Sequence, residues 1–356
     1  MTTFNLQIES ALRLLTIIGA ILSTELATAQ AGRVLAWGDN GYGQTSVPLE
    51  ATNVITISAG FRHSVALRAD GTVIGWGQIG VPADATNIIA IDAGYFYDVA
   101  VRADGTVFGW GDNYYGQLNI PPSATNVIAI SAGTGHNLAL RADGTVIAWG
   151  WNGFGQCNVP ADATNVVAVA AGSDHSLALR ADGTVISWGT GGTPATNTGV
   201  VAITAGYWDS VALLSDGTVA GSTVSNAVSI AAGDNHHLAL LADGAVVAWG
   251  QNTYGQTDVP TDATNVFRIA AGGDHSLAVV GPNIPAPLST PYLAIDRMAI
   301  TLPTVRSRRY LVERKSSLDE SNWTVWARII GDGTPKQLLD SVSDASQAFF
   351  RARYVP

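Results

Sequence analysis

The sequence predicts an all-β chain: a seven-bladed β-propeller closed by strands from both ends of its repeat region, then a small β-sandwich-like domain. Three observations carry this. A unit of the form AGxxHSLALRADGTVxxWG recurs, its glycines standing at Gly60, Gly94, Gly133, Gly172, Gly206, Gly233 and Gly272 in steps of 27 to 39 residues, a period that marks repeat architectures. The chain has 39 glycines and is only 13% charged, a balance suited to short strands and tight turns rather than salt-bridged helices. The seventh copy stops at Val280 without its last strand, while residues 32–38, GRVLAWG, are that strand in isolation. A sheet shared by both ends turns a row of blades into a ring and removes exposed edges.

In chain order, residues 1–29 read as a signal peptide. Arg13 precedes the apolar run Leu14 to Leu22, and Ala27-Thr28-Ala29 has the small-residue pattern of a cleavage site. Nine apolar residues are too few to cross a bilayer, so no stable membrane span is expected. Export to the periplasm, the cell surface or the medium follows.

Residues 30–280 hold the blades. Each reads as a three- or four-stranded meander: a β-branched run ending in Ala-Gly, such as NVVAVAAG (165–172), then two strands around an Asp-Gly hairpin, then a crossing segment such as WGWNGFGQCNVPADAT. Small residues at the end of the first strand suit a place where sheets crowd a common axis. The fifth unit is degenerate: Ser222 stands where tryptophan is expected and the crossing is short, which predicts a weaker seam between blades five and six. Residues 281–291 are a Pro-rich linker, and residues 292–356 a small β domain. The last 76 residues carry ten Lys/Arg against seven Asp/Glu, while 31–280 carry seven against nineteen.

The stretch DHSLALRAD (174–182) places histidine, serine and aspartates together like a hydrolase's catalytic set, yet one copy would suffice for catalysis and here it recurs. The slot holds His63, Tyr97, His136, His175, Asp209, His236 and His275: polar throughout, but not one chemistry. These side chains are expected to satisfy groups between strands or blades. Trp37, Trp76, Trp110, Trp149, Trp188 and Trp249 recur one per blade and read as packing between sheets. No metal or cofactor site is expected, because no ligand-spaced His/Cys motif and no phosphate-binding loop occurs. Cys157 is a lone thiol in a tolerated position. A net charge of −10 with two lysines excludes a phosphate backbone as partner.

Function is sought where copies differ. Two residues after each Ala-Gly vary: Phe61-Arg62, Tyr95-Phe96, Thr134-Gly135, Ser173-Asp174, Tyr207-Trp208, Asp234-Asn235 and Gly273-Asp274. Equivalent units would set them in a circle on one rim near the axis. The aromatics, with Arg62, Asp174, Asp234 and Asp274, are candidate contacts for a protein partner; the other reading is that the aromatics cover the channel mouth and pack on one another. Trp151 departs from its counterparts in the crossing loops and joins the candidate set.

The AGxxHSLALRADGTVxxWG…GQ pattern resembles the RCC1-repeat family of seven-bladed propellers, over Gly32 to Val280. The repeats are similar to the compact bacterial type found in secreted β-lactamase inhibitory proteins, which share VxAWG and GQxxVP segments. The resemblance implies a protein-binding ring that works through one rim. The expected function is an exported, non-enzymatic binding protein with an unidentified protein partner. A narrower expectation is inhibition of a secreted or periplasmic enzyme such as a β-lactamase. Nucleotide-exchange activity of the eukaryotic kind is set back by the export signal, and a polysaccharide-cleaving site by rim acids scattered over different blades.

Overall fold

A computed structural model describes residues 32–281 throughout and, beyond them, the backbone of five strands between 298 and 355. The expected signal peptide, residues 282–291 of the linker and the segments joining those five strands lie outside the described residues. Among the described residues there is no helix long and apolar enough to cross a membrane.

Residues 32–281 form seven antiparallel sheets. Blade one comprises Val54–Ala59, His63–Arg68 and Val73–Gly77, here called its inner, middle and outer strands. Blades two, three, four and six repeat this plan from Ile88, Val127, Val166 and Ala227. Blade five has only Val200–Ala205 and Ser210–Leu214. Blade seven pairs Val266–Ala271 with His275–Val280, and its outer strand is Arg33–Gly38, registered with Val34 opposite Val279 and Trp37 opposite Ser276. Apart from blade five the sheets are three-stranded, the shorter of the two expected forms.

Local chemistry explains the strand ends. At the Asp-Gly hairpins the glycine takes a left-handed φ, 80° at Gly71, and the aspartate accepts bonds from the following threonine, as Asp70 Oδ1 does from Thr72 N at 3.0 Å and Thr72 Oγ1 at 2.6 Å. Those bonds hold the Asp70 carboxyl below its ordinary value. The opposite end of the hairpin is gripped by an asparagine before the inner strands of six blades, Asn53, Asn87, Asn126, Asn165, Asn226 and Asn265, all at φ of 54–58°, and by Gly199 at 70° before that of blade five. In that conformation the Asn53 carbonyl accepts from Ala69 N at 3.0 Å.

The core lies between blades. Middle strands are buried on both faces, which is why they read as near-continuous apolar runs. Their pattern, large-Ala-large, has a packing cause. Val65 and Leu67 of blade one cluster with Ala100 and Trp110 of blade two, and Leu277 and Val279 of blade seven with Ala66 and Trp76 of blade one. The same pairing links Leu138 and Leu140 to Ala178 and Trp188. Ala66, Ala100, Ala139, Ala178, Ala212, Ala239 and Ala278 are all at 0% exposure: each receives the branched side chains of the preceding blade, where a longer side chain has no space.

Candidate protein-interaction rim

Each inner strand ends at the axis. The Ala-Gly pairs and the residue after each line a narrow axial pocket of about 80 Å³. Glycine is required there because a Cβ on Gly60 would collide with the His63 ring and the Gly94 carbonyl, and one on Gly272 with the Gly60 carbonyl. Backbone bonds run around the mouth, among them Phe61 N to Tyr95 O (3.2 Å), Asp234 N to Gly272 O (3.2 Å) and Gly273 N to Gly60 O (3.1 Å).

Just beneath, the repeated polar slot makes a belt. His275 Nε2 meets Ser64 Oγ, His136 meets Ser176, His175 meets Ser210 and His236 meets Ser276, each at 2.9 Å and each in the next blade. Ser64, Ser176 and Ser276 donate onward to the carbonyls of Gln44, Gln156 and Gln256. With the serine proton spent, the hydroxyl must accept, so these histidines carry their proton on Nε2 and leave Nδ1 as a bare acceptor. Burial holds them neutral: the values fall to about 3 for His136 and His275 and about 4 for His236, and His175 is lowered for the same reason. Elsewhere the link changes chemistry. His63 Nε2 meets Asp98 Oδ1 at 2.9 Å, Tyr97 donates to the His136 carbonyl at 2.8 Å, and Asp209 Oδ2 meets His237 Nε2 at 3.0 Å.

The glutamine carbonyls also anchor the tryptophans. Trp76, Trp149 and Trp188 donate Nε1 to Gln44, Gln117 and Gln156 at 2.7–2.9 Å, and Trp37, in the strand borrowed from the start of the repeat region, donates to Gln256 at 2.9 Å. The crossing before blade two is shortened to GQIGVP (77–82), its glutamine directly following the strand; there Trp110 lies against the Asp98 carboxylate and its Nε1 finds no glutamine carbonyl. Trp249 packs on the His237 ring, centroids 5.3 Å apart.

Above the belt sit the variable residues. Phe61 stacks on Tyr95 at 4.0 Å, Phe96 meets both edge-on, and Tyr95 reaches Tyr207 at 6.2 Å, so rings of blades one, two and five pack on one another at the axial mouth. Trp208 packs on Tyr207 yet stays 66% exposed. Arg62 lies 4.0 Å over the Tyr42 ring. Asp174 and Asp274 are half-buried, Asp274 accepting from Gln256 Nε2 at 3.1 Å. Burial and then the Asp274 charge push the Asp234 carboxyl up to about 7; burial, followed by the Asp234 charge, pushes the Tyr95 hydroxyl up to about 12.

Trp151 stands outside this circle. In the crossing loops Asp39 and Asp112 accept from the side-chain amides of Gln44 and Gln117 at 2.7 and 2.9 Å. Trp151 occupies the equivalent place, and Gln156 Nε2 is left buried with no partner. The indole packs on Tyr115, beside Tyr114, over space that a Cβ on Gly135 would fill. The signal was in the sequence: the GQ persists while its acid is gone. Cys157 donates to the Trp151 carbonyl at 3.1 Å, and burial raises its thiol to about 11. Among the described residues no cluster of three or more His, Cys, Asp or Glu could hold a metal.

Five stretches, residues 54–78, 88–117, 127–156, 166–192 and 227–256, match the regulator of chromosome condensation (RCC1) repeat. The chain carries RCC1 repeats. The matches fall on blades one, two, three, four and six; the unmatched blades are the two-stranded fifth and the seventh, whose outer strand comes from the start of the repeat region. No curated protein sequence matches the chain. Among solved structures it is similar to Prp20p of Saccharomyces cerevisiae, with 18% identity, a TM-score of 0.62, and 74% of this chain and 96% of that one covered. It is also similar to human WBSCR16, with 17% identity, a TM-score of 0.58, and 70% and 100% covered. A third is the ectodomain of the receptor kinase CR4 from Physcomitrella patens, with 19% identity, a TM-score of 0.52, and 84% and 94% covered. At these identities the likeness is one of fold.

Proposed function

We propose that this RCC1-repeat chain is an exported, non-enzymatic binding protein whose ring engages a protein partner through the rim carrying Phe61, Arg62, Tyr95, Phe96, Trp151, Asp174, Tyr207, Trp208, Asp234 and Asp274. Prp20p has binding properties toward Gsp1p and histones, and protein binding is carried over from that likeness. Export rests on the pattern of residues 1–29, and the β-sandwich reading of residues 292–356 is part of the same proposal. A narrower form, in which the partner is a secreted or periplasmic enzyme inhibited by the ring, rests on the compact repeats.

One observation carries the reading. Trp151 displaces an aspartate that two other crossing loops use, and leaves a buried amide unpaired at a cost of about 1–3 kcal/mol. A stability-driven sequence would keep the acid. Exposed tryptophan and tyrosine on a rigid support are instead the residues that dominate protein interfaces.

Trp151→Asp separates the two roles. The expected result is a higher denaturation midpoint together with weaker capture of the partner from the native extracellular medium. A destabilised Trp151→Asp that captures normally removes this argument. The alanine variant of Tyr95, Phe96, Tyr207 and Trp208 is expected to lose the partner while the wild type retains it, and identical captures would overturn the rim as the site.

A further inference from the structure

The axial mouth has one feature that packing alone leaves unexplained. Asp234 is mostly buried, yet among the described residues no side chain or backbone N–H donates to its carboxylate. Its neighbours push the wrong way, because burial disfavours its charge and Asp274 repels it. A carboxylate kept in such a place without a donor costs free energy until a cation or donor arrives.

The surroundings define what could arrive. The pocket of about 80 Å³ has room for one guanidinium or ammonium head and is far below the several hundred Å³ of a small-molecule site. Across it stand the rings of Tyr95 and Tyr207, centroids 6.2 Å apart and tilted by 59°. Their π-faces attract cations and offer nothing to an anion. The arginine of this rim, Arg62, lies over Tyr42 and Phe61 at 4.0 and 4.9 Å and is already engaged.

We propose that the axial mouth is a socket for a single cationic group of the protein partner, an arginine or lysine head or a terminal amine, lying beside Tyr95 and Tyr207 and paired with the Asp234 carboxylate. This deepens the rim reading and rests on it. Binding supplies the donor that Asp234 lacks, through a charge-assisted hydrogen bond.

The test uses the full chain and needs no partner. n-Butylguanidinium is titrated at a pH above the Asp234 value of about 7, with n-butylurea as the neutral isostere, and read by NMR shifts of the Tyr95 and Tyr207 rings and the Asp234 carboxyl. Saturable shifts at these three groups are expected, with n-butylurea and the Asp234→Asn variant each binding at least about tenfold more weakly. A second variant, Tyr207→Leu, keeps the carboxylate and is expected to weaken the cation and leave the urea unchanged. Equal binding of urea and guanidinium, unchanged affinity in Asp234→Asn, or shifts without saturation would overturn the socket. Because capture of the partner is measured separately, a chain that captures its partner normally but ignores n-butylguanidinium refutes the socket alone.

Discussion

The seam between blades one and two and the seam between blades five and six use the same pair of residue types in opposite order. At the first, His63 fills the repeated slot and Asp98 follows the slot of the next blade; both side chains are at 0% exposure, 2.9 Å apart. At the second, Asp209 fills the slot and His237 follows it, 3.0 Å apart, with the acid 55% exposed. The position of the link is therefore what the ring demands, and its chemistry can be swapped. What differs is solvent. Blade one has its outer strand and closes water out, whereas blade five has none, and Trp249 beside His237 is only partly covered. A pair in a dry seam is costly to break and a wet one is worth little.

The largest expected effect sharpens that difference by acid. His136, His236 and His275 bind their last proton only near pH 3–4 in the fold, against about 6.5 when unfolded. Below about pH 6.5 the unfolded chain binds more protons, so stability is full above that value and is lost as pH falls toward the folded ones. Each histidine contributes a slope of about 1.4 kcal/mol per pH unit. Asp234 opposes them, since its raised value means the fold binds the extra proton between about pH 4 and 7 and gains stability on acidification there. Burial raises Asp92, Asp98 and Asp274 as well, so the histidine share is read by difference: between pH 6 and 4 the melting temperature of the wild type is expected to fall relative to that of His136→Gln. Asp209, lowered first by its bond to His237, loses its contribution only below the ordinary carboxylate range. A difference between the wild type and His136→Gln that stays flat from pH 7 to 4.5 would refute the neutral belt.

Next in size is removal of the dry link. His63→Ala leaves Asp98 buried without its donor, and the expected loss is about 3–5 kcal/mol in a denaturant titration. Asp98→Ser, which recreates the His–Ser link seen between His175 and Ser210, is expected to cost much less. A loss under about 1 kcal/mol for His63→Ala would show that water reaches this seam as it does the other.

These seams also show what could be seen in the chain before folding. The repeat, the hairpins and the strand borrowed by blade seven were legible because each is local or is a copy; Trp37 announces its blade by matching Trp76 and Trp149. The partner of each slot was not legible, because it lies 35 residues away in His63–Asp98 and 40 in His136–Ser176 and takes whatever polar residue the next blade offers. The reach of Tyr95 to Tyr207 was hidden for another reason, since it spans the axis and depends on how closely seven glycine turns crowd together. Five of the six asparagines before inner strands stood in ATN and Asn226 in VSN, but their left-handed turn is set by the hairpin they grip.

The smallest effect tests the wet seam directly. Asp209→Ala removes an acid that is half in water, and His237 remains packed on Trp249. The expected loss is at most about 1 kcal/mol, and it should shrink further in high salt, because exposed charges are screened. The informative readout is local: amide exchange in Ala227–Ala232 and His236–Leu241 is expected to quicken while exchange in blade one is unchanged. A loss as large as that of His63→Ala would mean that the Asp209–His237 pair is desolvated despite its exposure, and the contrast between the two seams would then lie in their order alone.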